Sequence, residues 1–160
     1  MENKQQLIEE AEASRRRMHA LIDQDYDALI RCIETGEPIE AQPMSLRTDP
    51  RQFRATKPTE IIFGDGTVIE VNTWREAAKV LLNDCNRKLH TQLVGICDKV
   101  SGRDRKILSS DPTGMNVPLR IDEGIFFEGK FSTESLLYVL KELIFDAVGY
   151  DYSDIRIRLR

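Results

Sequence analysis

The sequence predicts an α+β fold: a long N-terminal helix followed by two β-hairpin–helix (ββα) units and a C-terminal strand. Three observations carry this expectation. Apolar residues recur at helical spacing through residues 2–34. Two turns, Gly64-Asp65-Gly66 and Asp122-Glu123-Gly124, are flanked by apolar runs and followed by capped amphipathic stretches. The last segment, Ile155-Arg156-Ile157-Arg158-Leu159-Arg160, alternates strictly, as a strand with one buried face does.

The N-terminal segment, 1–36, carries its stripe on Leu7, Ile8, Ala11, Met18, Leu21, Ile22, Leu29, Ile30 and Ile33, and Gly36 and Pro38 stop the helix. A helix near 30 residues far exceeds the mean of about 11–12, and one small domain can hardly cover it. Ser14 and Asp25 interrupt the heptad seam, so a long coiled coil is not assured. The stripe is expected to pack on the protein's own core, on a second copy, or on both. Leu7, Ala11, Met18, Leu21, Ile22 and Leu29 are the residues expected at an oligomer interface.

Residues 37–58 are punctuated by Pro38, Pro43, Pro50 and Pro58 and read as an irregular basic arm or linker. The folded α+β domain is expected at 59–160. Strands at 60–63 and 68–71 flank the first turn. Thr73 then caps a helix, with Glu76 three residues on. Trp74, Ala77, Ala78, Leu81, Leu82, Cys85 and Leu89 form its apolar face. A second helical stretch at 92–100 is expected to stop at Gly102, before a short strand at 105–109. The second hairpin joins 117–121 to 125–128. Ser132 or Thr133 caps the next helix, Leu136, Leu137, Leu140, Leu143, Ile144 and Val148 face the core, and Gly149 ends it. The likeness of 68–82 to 125–140 fits an internal repeat, or the same capping rules used twice.

With 160 residues, 41% apolar and 31% charged, the chain has the composition of a globular domain rather than a disordered one. No apolar run approaches the roughly 18–20 residues of a membrane span. The polar start, MENKQQLIEEAEASRRR, is not a secretory signal. Cys32, Cys85 and Cys97 form no CxxC pair and suit a reducing compartment. A cytoplasmic protein with no membrane partner is expected.

The net charge is −4, but its sign varies along the chain. Arg47, Arg51, Arg54 and Lys57 oppose only Asp49, leaving +3 across 47–57. Lys99, Arg103, Arg105 and Lys106 oppose only Asp104, again +3. Arg156, Arg158 and Arg160 project from one face of the last strand. Arg47, Arg51, Arg54, Lys57, Arg103, Arg105, Lys106, Arg156, Arg158 and Arg160 are therefore the residues expected to hold an anionic partner. Residues 102–106 are the best phosphate site, because backbone and cations can converge there. The competing reading of each cluster is a solvated surface, and for the last strand a charged edge that discourages aggregation.

Asp111, Glu128 and Lys130 offer a catalytic alternative. Nucleases of the PD-(D/E)xK class set an Asp and an E-x-K on adjacent strands, where the carboxylates hold Mg²⁺ and the lysine orients water. The order Asp111-Pro112 reverses the expected Pro-Asp, and Asp111 falls in a loop. Cys85, His90 and Cys97 match no zinc pattern and lack a fourth ligand. With only His19 and His90 available, nothing marks a nucleophile–base pair. Gly64-Asp65-Gly66 joins two strands, so it is not a phosphate loop. No cofactor or metal is expected, apart from Mg²⁺ under the nuclease alternative.

The stretch 57–160 resembles small domains of unassigned activity from bacterial mobile elements and genome-defence neighbourhoods. The resemblance rests on Thr73-Trp74-Arg75-Glu76, on 103–106, and on Phe131-Ser132-Thr133-Glu134-Ser135 leading to Gly149-Tyr150-Asp151. It implies a bacterial or phage setting, with a host cytoplasm if phage-encoded, and transfers no catalytic residue. The leading expectation is a non-enzymatic, homo-oligomeric binding protein: an inhibitor or regulator that engages a nucleic-acid-processing partner, or nucleic acid, through its basic clusters. The alternatives are the Mg²⁺-dependent nuclease and an oligomer that binds a small nucleotide between subunits.

Overall fold

The computed structural model describes residues 2–36 and 42–160. The chain divides into two compact units, Met1–Glu40 and Ala41–Arg160. The first is helix α1, Glu2–Thr35. Gly36, at a φ of 68° that side-chain-bearing residues avoid, ends it and returns its N–H to the Cys32 carbonyl at 2.9 Å. Pro38, expected to help stop the helix, lies outside the described residues.

The second unit is a mixed α+β domain with two four-stranded antiparallel sheets. Its strands are β1 (Met44–Ser45), β2 (Pro58–Ile62), β3 (Val68–Glu70), β4 (Val100–Ser101), β5 (Lys106–Ser109), β6 (Pro118–Asp122), β7 (Ile125–Glu128) and β8 (Arg156–Leu159). One sheet runs in the order β1-β8-β2-β3, the other β4-β5-β7-β6. The two hairpins are β2–β3 and β6–β7. Each recruits strands from elsewhere in the chain, so two self-contained hairpin–helix units do not describe the sheets.

Helix α2, Trp74–Ile96, begins where Thr73 accepts the Glu76 amide at 3.1 Å. The Glu76 carboxylate accepts from Asn72 rather than from the cap itself, at 2.7 Å. The helix turns at Leu89, whose φ of −135° is non-helical, and closes at Cys97. The expected second helix to Gly102 is therefore shorter, and Val100 and Ser101 form a strand with β5. Asp98, at a φ of 66°, makes the reversal. Its carboxylate accepts from the Ser109 hydroxyl and from the amide and hydroxyl of Ser110, which offsets that strained backbone.

Ser132 caps α3, Thr133–Tyr138. The path continues through a π-helical segment, Val139–Phe145, into α4, Asp146–Val148, and Gly149 ends it at a φ of 77°. Leu81, Leu82 and Cys85 of α2 share the core with Leu137, Leu140 and Phe145, with Ile61 and Ile157 of one sheet, and with Leu108 and Phe127 of the other.

Two expectations need correction. Residues 37–41 of the anticipated arm lie outside the described residues, but 42–58 belong to the folded unit rather than to a linker. Leu46 and Phe53 are fully buried, Met44 and Ser45 pair with β8, and Pro50–Phe53 form a 3₁₀ turn. The apolar pair explains this: the prolines shape the path while Leu46 and Phe53 bury into the core. Strand β8 is not an edge, because β1 and β2 flank it on either side.

Candidate functional site: a carbonyl-braced basic face

The basic clusters differ in how their charge is used. In the 47–57 segment, Arg51 grips Asp49 at 2.7 Å and Arg54 bonds Glu134 at 2.6 Å. On β8, Arg158 bonds Glu60 of the neighbouring strand at 2.8 Å. These guanidiniums are compensated, and their first role is to brace the fold. Arg47, Lys57, Arg156 and Arg160 are exposed, and Arg160 is placed by its backbone N–H on the Lys57 carbonyl at 2.9 Å. The expected flat row of three arginines thus contains one, Arg158, engaged within the sheet.

The segment 103–106 is different. Residues 102–105 form the turn of the β4–β5 hairpin, closed by the Gly102 N–H on the Arg105 carbonyl at 2.8 Å, and Lys106 opens β5. Arg105 reaches across to donate to the Lys130 carbonyl at 3.0 Å, and its guanidinium lies 5.5 Å from the centre of the Phe131 ring. From the start of α2, Arg75 donates to the neighbouring Gly129 carbonyl at 3.3 Å. Two arginines from distant elements therefore brace one three-residue loop, and Lys130 projects from it into solvent.

Neutral carbonyls and an aromatic face position a guanidinium without cancelling its charge. Among the described residues, no ion pair engages Arg75, Arg103, Arg105 or Lys130; Lys106 has only Asp111, at 3.9 Å. The loop is closely packed at Gly129. A Cβ on Gly129 would stand 3.0 Å from the Val117 carbonyl and 3.1 Å from Leu119 Cγ. Arg75, Arg105 and Lys130 are thereby gathered around one loop, their charges without a carboxylate partner among the described residues.

The proposed metal triad is not assembled. Glu128 is fully buried. Its carboxylate accepts the backbone N–H groups of Asn116 at 2.7 Å, Val117 at 2.9 Å and Lys130 at 2.9 Å. Burial pushes this carboxyl up, but those amides and the Asn116 side chain outweigh it and hold the group below its ordinary value. Asp111 is an exposed loop residue whose carboxylate takes the amide and hydroxyl of Thr113. Among the described residues no cluster of three His, Cys, Asp or Glu side chains is arranged to hold a metal ion.

Among the described residues, two buried charged side chains were not singled out from the sequence. Asp84 accepts the Tyr150 hydroxyl at 2.6 Å, Lys88 Nζ at 2.9 Å and a bond from Arg87. Burial raises this carboxyl, those three bonds outweigh it, and its value falls below normal; burial and the Asp84 bond push the Tyr150 phenol up. Lys141, in the π-helical segment, is buried and donates to the carbonyls of Leu46 and Thr48 at 3.0 and 2.8 Å. Burial lowers its pKa, partly countered by Glu142, Asp49 and Asp146. Lys141 is a latch that fastens 46–48 to the helix. Its only sequence trace is a charged residue adjoining the apolar face of 136–144.

No helix among the described residues is long and apolar enough to cross a membrane. The chain matches no family model, no curated protein and no solved structure.

Proposed function

We propose that this protein is a non-enzymatic binding protein that holds the phosphate backbone of a nucleic acid on the face formed by Arg75, Arg103, Arg105, Lys106 and Lys130. The carrying observation is the bracing of Arg105 and Arg75 by the carbonyls of Lys130 and Gly129. Ordered guanidiniums with no carboxylate partner keep their charge for an anion, and phosphate is the anion whose geometry suits them. The resemblance of 57–160 to mobile-element and defence-associated domains gives the binding a specific form. The protein would be a phage- or mobile-element-type inhibitor or regulator that occupies a nucleic-acid or nucleoprotein surface. Self-association through α1 belongs to the same proposal.

The test is size-exclusion chromatography with light scattering, run on the protein alone and with short DNA or RNA duplexes in Mg²⁺. A discrete oligomer that co-elutes with intact duplex supports the proposal, provided that Arg103→Glu with Arg105→Glu abolishes co-elution. Undiminished co-elution by that variant overturns the placement of the site. Shortened duplex in the eluate returns the question to catalysis.

A further inference from the structure

Among the described residues, seven large apolar side chains of α1 are exposed: Leu7, Ile8, Met18, Ile22, Tyr26, Leu29 and Ile33 lie between 46 and 71% accessible. An exposed apolar stripe on so long a helix calls for a partner. Leu21 belongs to the same expected interface, but its side chain lies outside the described residues. Ala11, on the same stripe, is exposed as well. The order of residues along the stripe says which partner fits.

We infer that α1 pairs with α1 of a second copy in antiparallel orientation, about a twofold axis beside Ala20. This rests on reading the stripe as a self-association surface. From Ile8 the helical repeat selects Ala11, Arg15, Met18, Ile22, Tyr26, Leu29 and Ile33 as one line along the helix. Reversed about a point between positions 20 and 21, that line falls onto itself to within one residue. Ile8 meets Ile33 of the second copy, Ala11 meets Leu29, and Met18 meets Ile22. The one charged member, Arg15, meets Tyr26, whose ring accepts a guanidinium. In a parallel pair Arg15 would instead face Arg15 within the apolar seam.

In the middle of the stripe the flanking charges agree, while at its ends Glu9 and Glu34, which follow Ile8 and Ile33, are set side by side. Arg16 follows Arg15, Asp23 follows Ile22 and Asp27 follows Tyr26. Antiparallel helices bring the residues that follow the stripe onto the same side of the seam, so Arg16 of one copy lies beside Asp23 and Asp27 of the other. A parallel pair sets residues that follow the stripe against residues that precede it, and places Arg16 beside Arg17 of the second copy. Within one helix, among the described residues, Arg16 has only an exposed contact with Glu12 at 3.6 Å, which holds it weakly. The second copy supplies two carboxylates where the lone helix supplies one.

The experiment uses the full chain. Light scattering first sets the oligomeric state of the unaltered protein; a monomer overturns the self-association reading itself. The variant Ile8→Cys, Ile33→Cys, Cys32→Ser is then oxidised mildly and its disulfides mapped by peptide mass spectrometry. These positions lie about 38 Å apart along one helix, so an 8–33 disulfide must join two chains. The 8–33 bridge is expected as the dominant species. Bridges 8–8 and 33–33 overturn the antiparallel arrangement while leaving self-association standing. An oligomer that forms neither kind of bridge places the contact elsewhere and overturns the proposal. A second pair of variants avoids altering the apolar seam: Arg16→Glu, and Asp23→Arg with Asp27→Arg, should each weaken the oligomer alone and restore it when mixed. If mixing restores nothing, the charge register is wrong.

Discussion

The Glu128 carboxylate accepts the backbone amide of Lys130, two residues on, at 2.9 Å. With the Asn116 and Val117 amides, this contact holds the acid inside, while the lysine side chain is exposed. An E-x-K triplet that resembles a metal-binding strand in sequence thereby acts as a buried clamp on the loop that carries the basic face. Structure and proposed function meet at this point: the clamp fixes 129–131, and Arg75 and Arg105 are braced on that fixed loop.

Replacing Glu128 by Gln should therefore destabilise the domain by about 1–3 kcal/mol, because an uncharged amide serves the three buried N–H donors less well. The carboxyl lies below its ordinary value in the fold. A depressed acid stabilises above the unfolded value, near 4.5, and that contribution is lost as pH falls through the lower folded value. Thermal unfolding followed between pH 7 and pH 3 should show a smaller acid-induced loss for Glu128→Gln than for the parent. Parallel curves would show that the clamp does not titrate as described.

Charge removal should have graded effects on nucleic-acid binding. Arg105→Gln and Lys130→Gln should each weaken duplex binding several-fold and flatten its salt dependence, since each removes about one phosphate contact. Arg51→Gln should change little, because Asp49 already compensates that guanidinium. Equal losses at all three positions would mean that net charge, not the braced face, governs binding.

Tyr150→Phe should lower stability by about 1–2 kcal/mol without altering duplex binding. Asp84 keeps Arg87 and Lys88 as partners, so it is weakened rather than stranded. Chemical denaturation beside a binding titration separates the two effects. A binding loss in a variant that remains folded would extend the functional surface to this cluster.

Lys141→Met should loosen the segment that leads into the first basic cluster. Leu46 N–H is bonded to the Ile155 carbonyl at 2.9 Å, and the Lys141 ammonium holds the Leu46 carbonyl from the other side. Hydrogen exchange at 44–48 should quicken more than exchange at α2. Unchanged exchange there would show that β1 pairing alone holds the segment.

Local chemistry made the two hairpins, the Thr73 and Ser132 caps and the ending at Gly149 legible in the sequence, because turns and caps depend on neighbouring residues. The place of β8 between β1 and β2 was not legible. An alternating strand reads the same at an edge or in the middle, and its β1 partner is only two residues long. The arm misled for a related reason. Prolines announce irregular backbone, but Leu46 and Phe53, the residues that bind it to the core, are isolated apolar positions without periodicity. Of the basic face, 103–106 stood out by charge density. Arg75 did not, since only the fold carries the start of α2 to Gly129. Arg158, which the alternation grouped with an open row, is bonded to Glu60 from a strand 98 positions away in sequence.

The most direct test of the central claim is a fluorescence-anisotropy titration of a short labelled duplex with the parent protein and with Arg75→Gln/Arg105→Gln/Lys130→Gln, at two salt concentrations. The account predicts saturable binding by the parent that weakens with salt, and a variant that remains folded but binds at least ten-fold more weakly with a shallower salt slope. Parent and variant curves that superimpose, or a parent that does not bind, would contradict it.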